Sequence, residues 1–230
     1  MIIDTHTHVP RLDGVDKIIL VSAAPEDVDG VPAAAKNDPN IFRTVGIHPQ
    51  YFDAVPDYAH LLSDPKVVAV GEIGLDYHYD PEHKIQQIEL FRRQLEIARE
   101  ANLPVAVHSR EADDDLVDIL KDGRGVLHSF TGGYECAKTM IGRGFFISAN
   151  GILTFKNAQD LRDMFTKIPV ESIIAETDAP YCAPVPYRGK PASSAMIVET
   201  IKCLSEIKKI PLVEMENILW DNARKCFDRL

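Results

Sequence analysis

The chain has 230 residues, 45% of them hydrophobic and 26% charged, with a formal net charge of −10 when its eight histidines are counted neutral. That length and balance suit one soluble domain with a large core, and the negative charge opposes non-specific attraction to nucleic acid while leaving room for a locally basic groove. No apolar stretch reaches bilayer length, Met1-Ile2-Ile3-Asp4 lacks the features of a secretory signal, and Cys136, Cys182, Cys203 and Cys226 have no CxxC spacing. The expectation is a cytoplasmic protein with reduced thiols, excluding a disulfide framework and a cysteine zinc site.

In chain order, β-rich runs fall at 2–6, 17–22, 41–46, 67–72, 104–108, 124–128, 144–148 and 172–177. Residues 9–16, between the first two, are too few for a full crossover helix. Val67-Val68-Ala69-Val70 and Ser172-Ile173-Ile174-Ala175 are almost wholly apolar, as parallel strands buried on both faces are. Ile85, Ile88, Phe91, Leu95 and Ala98 recur at three- or four-residue spacing, with Asp80-Pro81 before them and Asn102-Leu103-Pro104 after. That pattern predicts an amphipathic helix with start and stop signals. Two more helical stretches, about 192–208 and 212–228, end the chain, and no repeat or linker divides it. The expected fold is α/β, a (β/α)8 TIM barrel with a degenerate first crossover helix and a single domain over 1–230; an open doubly wound sheet is the alternative.

The apolar strands repeatedly end in metal-binding residue types. The ends are Asp4-Thr5-His6-Thr7-His8, Gly46-Ile47-His48, Gly71-Glu72, Val107-His108, Leu127-His128 and Glu176-Thr177-Asp178. In a parallel barrel all such ends share one rim, where barrel enzymes build their sites. His6 and His8, two apart in an extended strand, face the same way. Unpaired ionisable groups at the ends of buried strands are costly, so a compensating centre is expected from His6, His8, Glu72, His108, His128 and Asp178. Six ligands exceed the three or four of one zinc ion and suit two divalent metal ions sharing a bridge. Imidazole with carboxylate favours zinc, manganese, nickel or iron, with magnesium less natural.

These segments, with Val45-Gly46-Ile47-His48-Pro49, Val70-Gly71-Glu72-Ile73-Gly74-Leu75-Asp76-Tyr77, Val107-His108-Ser109-Arg110, Leu127-His128-Ser129-Phe130-Thr131-Gly132, Tyr187-Arg188-Gly189-Lys190 and Asn222-Ala223, resemble the TatD family of metal-dependent deoxyribonucleases, in the amidohydrolase superfamily. The resemblance covers nearly the whole chain. It implies one ion on His6, His8 and Asp178, another on His108 and His128, and Glu72 bridging both. The carboxylated lysine of other amidohydrolases has no counterpart, since Lys66 lies at the opposite end of its strand. Two departures stand out. Lys190-Pro191-Ala192 replaces the usual Asn and Pro after Arg-Gly, and the first connection is short.

The implied chemistry is hydrolysis by a metal-activated water, with Asp178 as ligand and proton acceptor and Glu72 as bridge or, alternatively, general acid–base. His48, Arg110 and Arg188 are candidate phosphate contacts, and Tyr181, with Tyr77, a candidate base contact. His60 and His83 read as surface residues, and His78 as a weak rim candidate. GxSxG, P-loop, GxGxxG and HExxH motifs are absent. Ser109 and Ser129, each next to a ligand candidate, should face away from it. The leading expectation is a phosphodiesterase acting on DNA, with no membrane and no obligate protein partner. The alternatives are a carboxyl ester, lactone or amide hydrolase, and a non-catalytic binding protein. A basic stripe of Arg11, Arg110, Lys156, Arg188 and Lys190 at the metal mouth would favour nucleic acid.

Overall fold

Eight parallel strands follow one another in chain order in the computed structural model, which describes residues 1–30, 36 and 38–230. They are β1 (Ile3–Thr7), β2 (Lys17–Leu20), β3 (Ile41–Val45), β4 (Val67–Asp76), β5 (Val105–Arg110), β6 (Gly125–Leu127), β7 (Phe145–Ala149) and β8 (Ile173–Ala175). Backbone just past β8 closes the ring onto β1: Asp178 N–H donates to His6 O at 2.9 Å, and His8 N–H to Ala179 O at 2.7 Å. The fold is the (β/α)8 barrel, and the open sheet is set aside.

Between the strands lie α1 (Asp27–Gly30), α2 (Lys84–Glu100), α3 (Asp113–Ile119), α4 (Tyr134–Gly142) and α5 (Gln159–Lys167), and after β8 come α6 (Ile197–Lys208) and α7 (Leu212–Cys226). The β1–β2 connection holds no helix, as its length required. The β3–β4 connection departs from strict alternation, with only two 3-10 turns, Pro49–Tyr51 and Ala59–Leu61. Pro49 and Pro56 lie in this stretch, and a proline lacks the N–H that continues a helix. Among the described residues, no helix is long and apolar enough to cross a membrane.

Strand alternation sorts the core into two clusters. Ile3, Ile19, Val68, Ala106, Val126 and Ile174 point into the barrel, where Phe227 and Cys226 at the end of the chain's last helix plug them from below. Their neighbours, among them Ile18, Val67, Val105 and Ile173, face the surrounding helices. The interior is thus packed at its base, and the polar centre sits above it at the C-terminal rim.

The amphipathic face of α2 buries Leu90, Phe91 and Ala98, but Ile85 stands 71% exposed and Gln87 and Gln94 take buried places. Both glutamines pin site-bearing backbone. Gln94 accepts from Ile47 N–H at 2.8 Å and donates to Ile47 O at 2.9 Å. Gln87 accepts from Asp76 N–H at 2.8 Å and donates to Asp76 O at 3.0 Å. Gly74, at φ +143°, pairs with His108, and any side chain there would collide with the His108 carbonyl. That close approach lets β4 run past Glu72 to Asp76, four residues beyond the predicted strand.

Candidate metal centre

Glu72 is the hub of the rim. Its Oε2 lies 3.6 Å from His6 Nε2 and 3.9 Å from His8 Nε2. Its Oε1 lies 3.0 Å from His108 Nδ1 and 3.1 Å from His128 Nε2. Asp178 Oδ1 completes the first side, 3.9 Å from His6 Nε2 and 3.6 Å from His8 Nε2. All six predicted ligand candidates therefore converge. Asp178 belongs to the loop after β8 rather than to the strand: at φ 59° it adopts a left-handed turn that aims its carboxylate at the two histidines.

Carboxylates behind the histidines fix their rings. Glu176 Oε1 lies 2.9 Å from His128 Nδ1 and accepts Ser129 N–H at 2.7 Å, while Ser148 Oγ donates to its Oε2 at 2.6 Å. Asp76 Oδ2 lies 3.0 Å from His108 Nε2. Each ring consequently turns its other nitrogen toward Glu72, the arrangement in which a carboxylate sets the tautomer of a metal-binding imidazole. Beneath the rim, buried Asp4 accepts from Thr177 Oγ1 at 2.6 Å and Ser194 Oγ at 2.7 Å, tying β1 to the loop after β8; burial pushes its pKa up to about 7.

The electrostatics call for cations. Burial alone would raise Glu72's pKa, but the charge of His128 and hydrogen bonds from His108 and His128 hold it well below the carboxylate range. Burial opposes charge on His128 too, yet Glu176 and Glu72 on its two sides raise its pKa well above the ordinary value. Burial lowers that of His6, with His128 next in effect. His6 Nε2 is buried with no hydrogen-bond partner among the described residues. The triads His6–His8–Glu72, His6–His128–Asp178 and His48–Glu72–His108 each bring their donor atoms within 4.8 Å of one another. Donors about 2.1 Å from a shared tetrahedral ion stand about 3.4 Å apart. The orphaned nitrogen and the N/O donor set fit a divalent metal site.

The family described as TatD related DNase matches residues 3–228. The chain belongs to this family. It is a metal-dependent hydrolase, and its relatives include metal-dependent hydrolases of the same kind. YcfH of Escherichia coli (strain K12) is 37% identical over 254 residues, covering 98% of this chain and 95% of its own. YabD of Bacillus subtilis (strain 168) is 32% identical, covering 99% of each. The crystal structure of YJJV, a TatD homolog from Escherichia coli k12, superposes with a TM-score of 0.90 at 30% identity, covering 99% of this chain and 98% of that one.

The centre of this TatD protein opens into a cavity of about 1040 Å³ that reaches His48, Arg110, Tyr181 and Arg188. His48 Nδ1 accepts Gln50 N–H at 3.3 Å, which leaves Nε2 as the protonated nitrogen, 3.7 Å from Glu72 Oε1. Burial pushes its pKa down to about 4. His48 is therefore a neutral donor aimed into the centre. The Arg188 guanidinium lies 3.7 Å from the Phe155 ring centroid, and Arg110 lies over Tyr79. Of the five residues proposed for a basic stripe, Arg110 and Arg188 line the cavity, whereas Arg11, Lys156 and Lys190 do not.

Other expectations need correction. Ser129 lines the cavity rather than facing away, at φ 45°, outside the extended geometry assumed for it, whereas the Ser109 hydroxyl is buried within β5. Tyr77 lines a neighbouring cavity, where its hydroxyl donates to Asp115 at 2.8 Å. His60 is exposed, His83 pairs with Asp80 at 2.8 Å, and His78 pairs with Glu111 at 2.6 Å. Sequence reasoning missed the orienting roles of Asp76 and Glu176, although both stand in the quoted motifs. Their signal was a carboxylate four residues past one ligand and two before another, which only the barrel turns into contact. Cys182 was also unforeseen; its Sγ lies 3.4 Å from Asp178 Oδ2.

Proposed function

We propose that this protein is a deoxyribonuclease that cleaves phosphodiester bonds at a centre of two divalent cations. His6, His8 and Asp178 would hold one, His108 and His128 the other, with Glu72 shared between them. The observation that carries this reading is the division of Glu72: one carboxylate oxygen faces the first pair of histidines and the other faces the second. Bound cations supply a water of lowered pKa and stabilise charge on the attacked phosphate; zinc, manganese, nickel, iron and magnesium are all candidates.

The chain's own residues do the rest. Asp178 accepts the proton of the attacking water, since its carboxylate is held ionised: burial opposes the charge, but His8, His128 and His6 outweigh it. His48 Nε2–H donates to a phosphate oxygen. Arg110 and Arg188 hold flanking phosphates, and Tyr181, 63% exposed on the rim, stacks a base. The test is metal-reconstituted protein with single-stranded DNA. Salt-sensitive cleavage, abolished in Glu72→Ala and His108→Ala, is expected.

A second reading, hydrolysis of a carboxyl ester, lactone or amide, draws on the net charge of −10 and the presence of only two of the five stripe cations in the cavity. Turnover of such substrates by metal-loaded protein that leaves every phosphodiester intact would replace the first reading with the second.

A further inference from the structure

Two exposed tyrosines flank the mouth of the metal cavity. Tyr79, three residues past the end of β4, is 75% exposed, and Tyr181, in the loop after β8, is 63% exposed. Both line the same cavity. β4 and β8 are four strands apart in a ring of eight, so the two side chains arise from opposite sides of the centre. Large aromatic rings gain from burial, and rings left in water at a cavity mouth offer that gain to a ligand.

Tyr79 is braced for such a role. The Arg110 guanidinium lies 4.7 Å from its ring centroid, and the His78 ring meets it edge-on at 5.0 Å. With Arg110 over one face, the remaining exposure is on the other. Its position is also registered to the centre. Asp76 Oδ1 accepts Tyr79 N–H at 3.0 Å, while Oδ2 of the same carboxylate lies 3.0 Å from His108 Nε2. Across the mouth, Tyr181 N–H donates to Asp178 O at 2.8 Å, and its ring meets His8 edge-on at 6.0 Å. Each tyrosine is thus one hydrogen bond away from a residue that shapes the metal centre.

We infer that Tyr79, backed by Arg110, is a second base-stacking platform opposite Tyr181, so that the protein grips an unpaired strand by one base on each side of the attacked phosphodiester. This rests on the DNA-cleavage reading. Base–aromatic stacking tolerates any base, because every base has a π face, and the cation behind the ring adds to its hold on the strand. Paired bases cannot occupy two rings on opposite sides of the centre. Tyr79 is a positioning residue: it holds the strand and does not reach the reacting atoms.

The test uses the whole metal-loaded chain and labelled trithymidylates with a single cleavable phosphodiester, the other linkage being methylphosphonate. A tetrahydrofuran abasic unit replaces the base on one side or the other. Affinity is read by fluorescence anisotropy, and KM and kcat by product release. Tyr79→Ala is expected to raise Kd and KM roughly 5- to 100-fold, the range of one lost stack, with kcat nearly unchanged. Tyr79→Trp should restore both. Removing the base on the Tyr79 side should cost wild type the same factor and cost Tyr79→Ala nothing further. The platform is overturned if Tyr79→Ala binds intact and abasic strands as wild type does, or if its loss is undiminished on the abasic strand. Hydrolysis without Tyr79 dependence removes the platform and keeps the nuclease. Tyr79-dependent binding without hydrolysis keeps the platform and removes the nuclease.

Discussion

Asp76 holds the side of the His108 ring that faces away from Glu72. Its Oδ2 lies 3.0 Å from Nε2, and Nδ1 of the same ring lies 3.0 Å from Glu72 Oε1. Burial works against the charge on Asp76, but the His108 hydrogen bond and the Tyr79 N–H keep its pKa lowered. Asp76→Asn retains a hydrogen-bonding side chain but loses the negative charge that raises the basicity of His108. The expected result is a loss of metal affinity of about 10- to 100-fold, the usual worth of such an outer partner. Competition against a calibrated chelator measures it, and an unchanged affinity would remove Asp76 from this role.

Metal should stabilise the fold as well as arm it. The orphaned His6 Nε2 gains a partner when a cation binds between it and the neighbouring carboxylates. At a hundredfold excess over Kd, a ligand specific to the folded state adds about 2.7 kcal/mol. In a domain of this size that is about 5–10 °C in Tm. Chelator-treated protein should therefore melt several degrees lower, with recovery on adding the metal. Identical melting curves for stripped and loaded protein would contradict the assignment.

Asp115 gives a pH dependence with a definite sign. It pairs with Lys84 Nζ at 2.7 Å and accepts the Tyr77 hydroxyl at 2.8 Å, and these two contacts lower its pKa. A carboxylate with a depressed folded pKa contributes stability above its unfolded value near 3.9, and loses it as pH falls through the folded value. Asp115 is 29% exposed and Lys84 50%, so solvent screening caps the contribution at about 1 kcal/mol. Asp115→Asn should lower stability modestly at pH 7 and converge with wild type near the acid end of the transition. Urea unfolding at several pH values reads the difference, and a gap that widened toward acid would be the wrong sign.

Phe227, fully buried under the barrel, fills the space between the inward-facing strand residues. Phe227→Ala leaves a cavity that the surrounding strands cannot close, at a cost of about 3–5 kcal/mol. Thermal unfolding is the measurement. A loss below about 1 kcal/mol would mean that the barrel floor is packed by other residues.

The strand order and the ligand types were legible in sequence because both are local. Continuous apolar runs marked the strands, and a parallel barrel sends every strand's C-terminal end to one rim, so His6, His8, Glu72, His108, His128 and Asp178 could be gathered without coordinates. The missing first helix followed from chain length alone. Less local features escaped. The extension of β4 to Asp76 depends on Gly74 meeting the His108 backbone. The helix-free β3–β4 connection lies in a stretch with three prolines and no periodic signal to announce 3-10 turns.

The sequence by itself determined which residue types reach the rim and in what order. Only the tertiary structure decided what each one faces: that the two oxygens of Glu72 divide between two pairs of histidines, that Asp76 and Glu176 orient rings 32 and 48 residues away, and that Tyr79 stands across the mouth from Tyr181. Side-chain direction depends on strand register, on left-handed turns such as the one at Asp178, and on packing from distant elements. Such contacts join residues far apart in the chain, and no local pattern of residues encodes them.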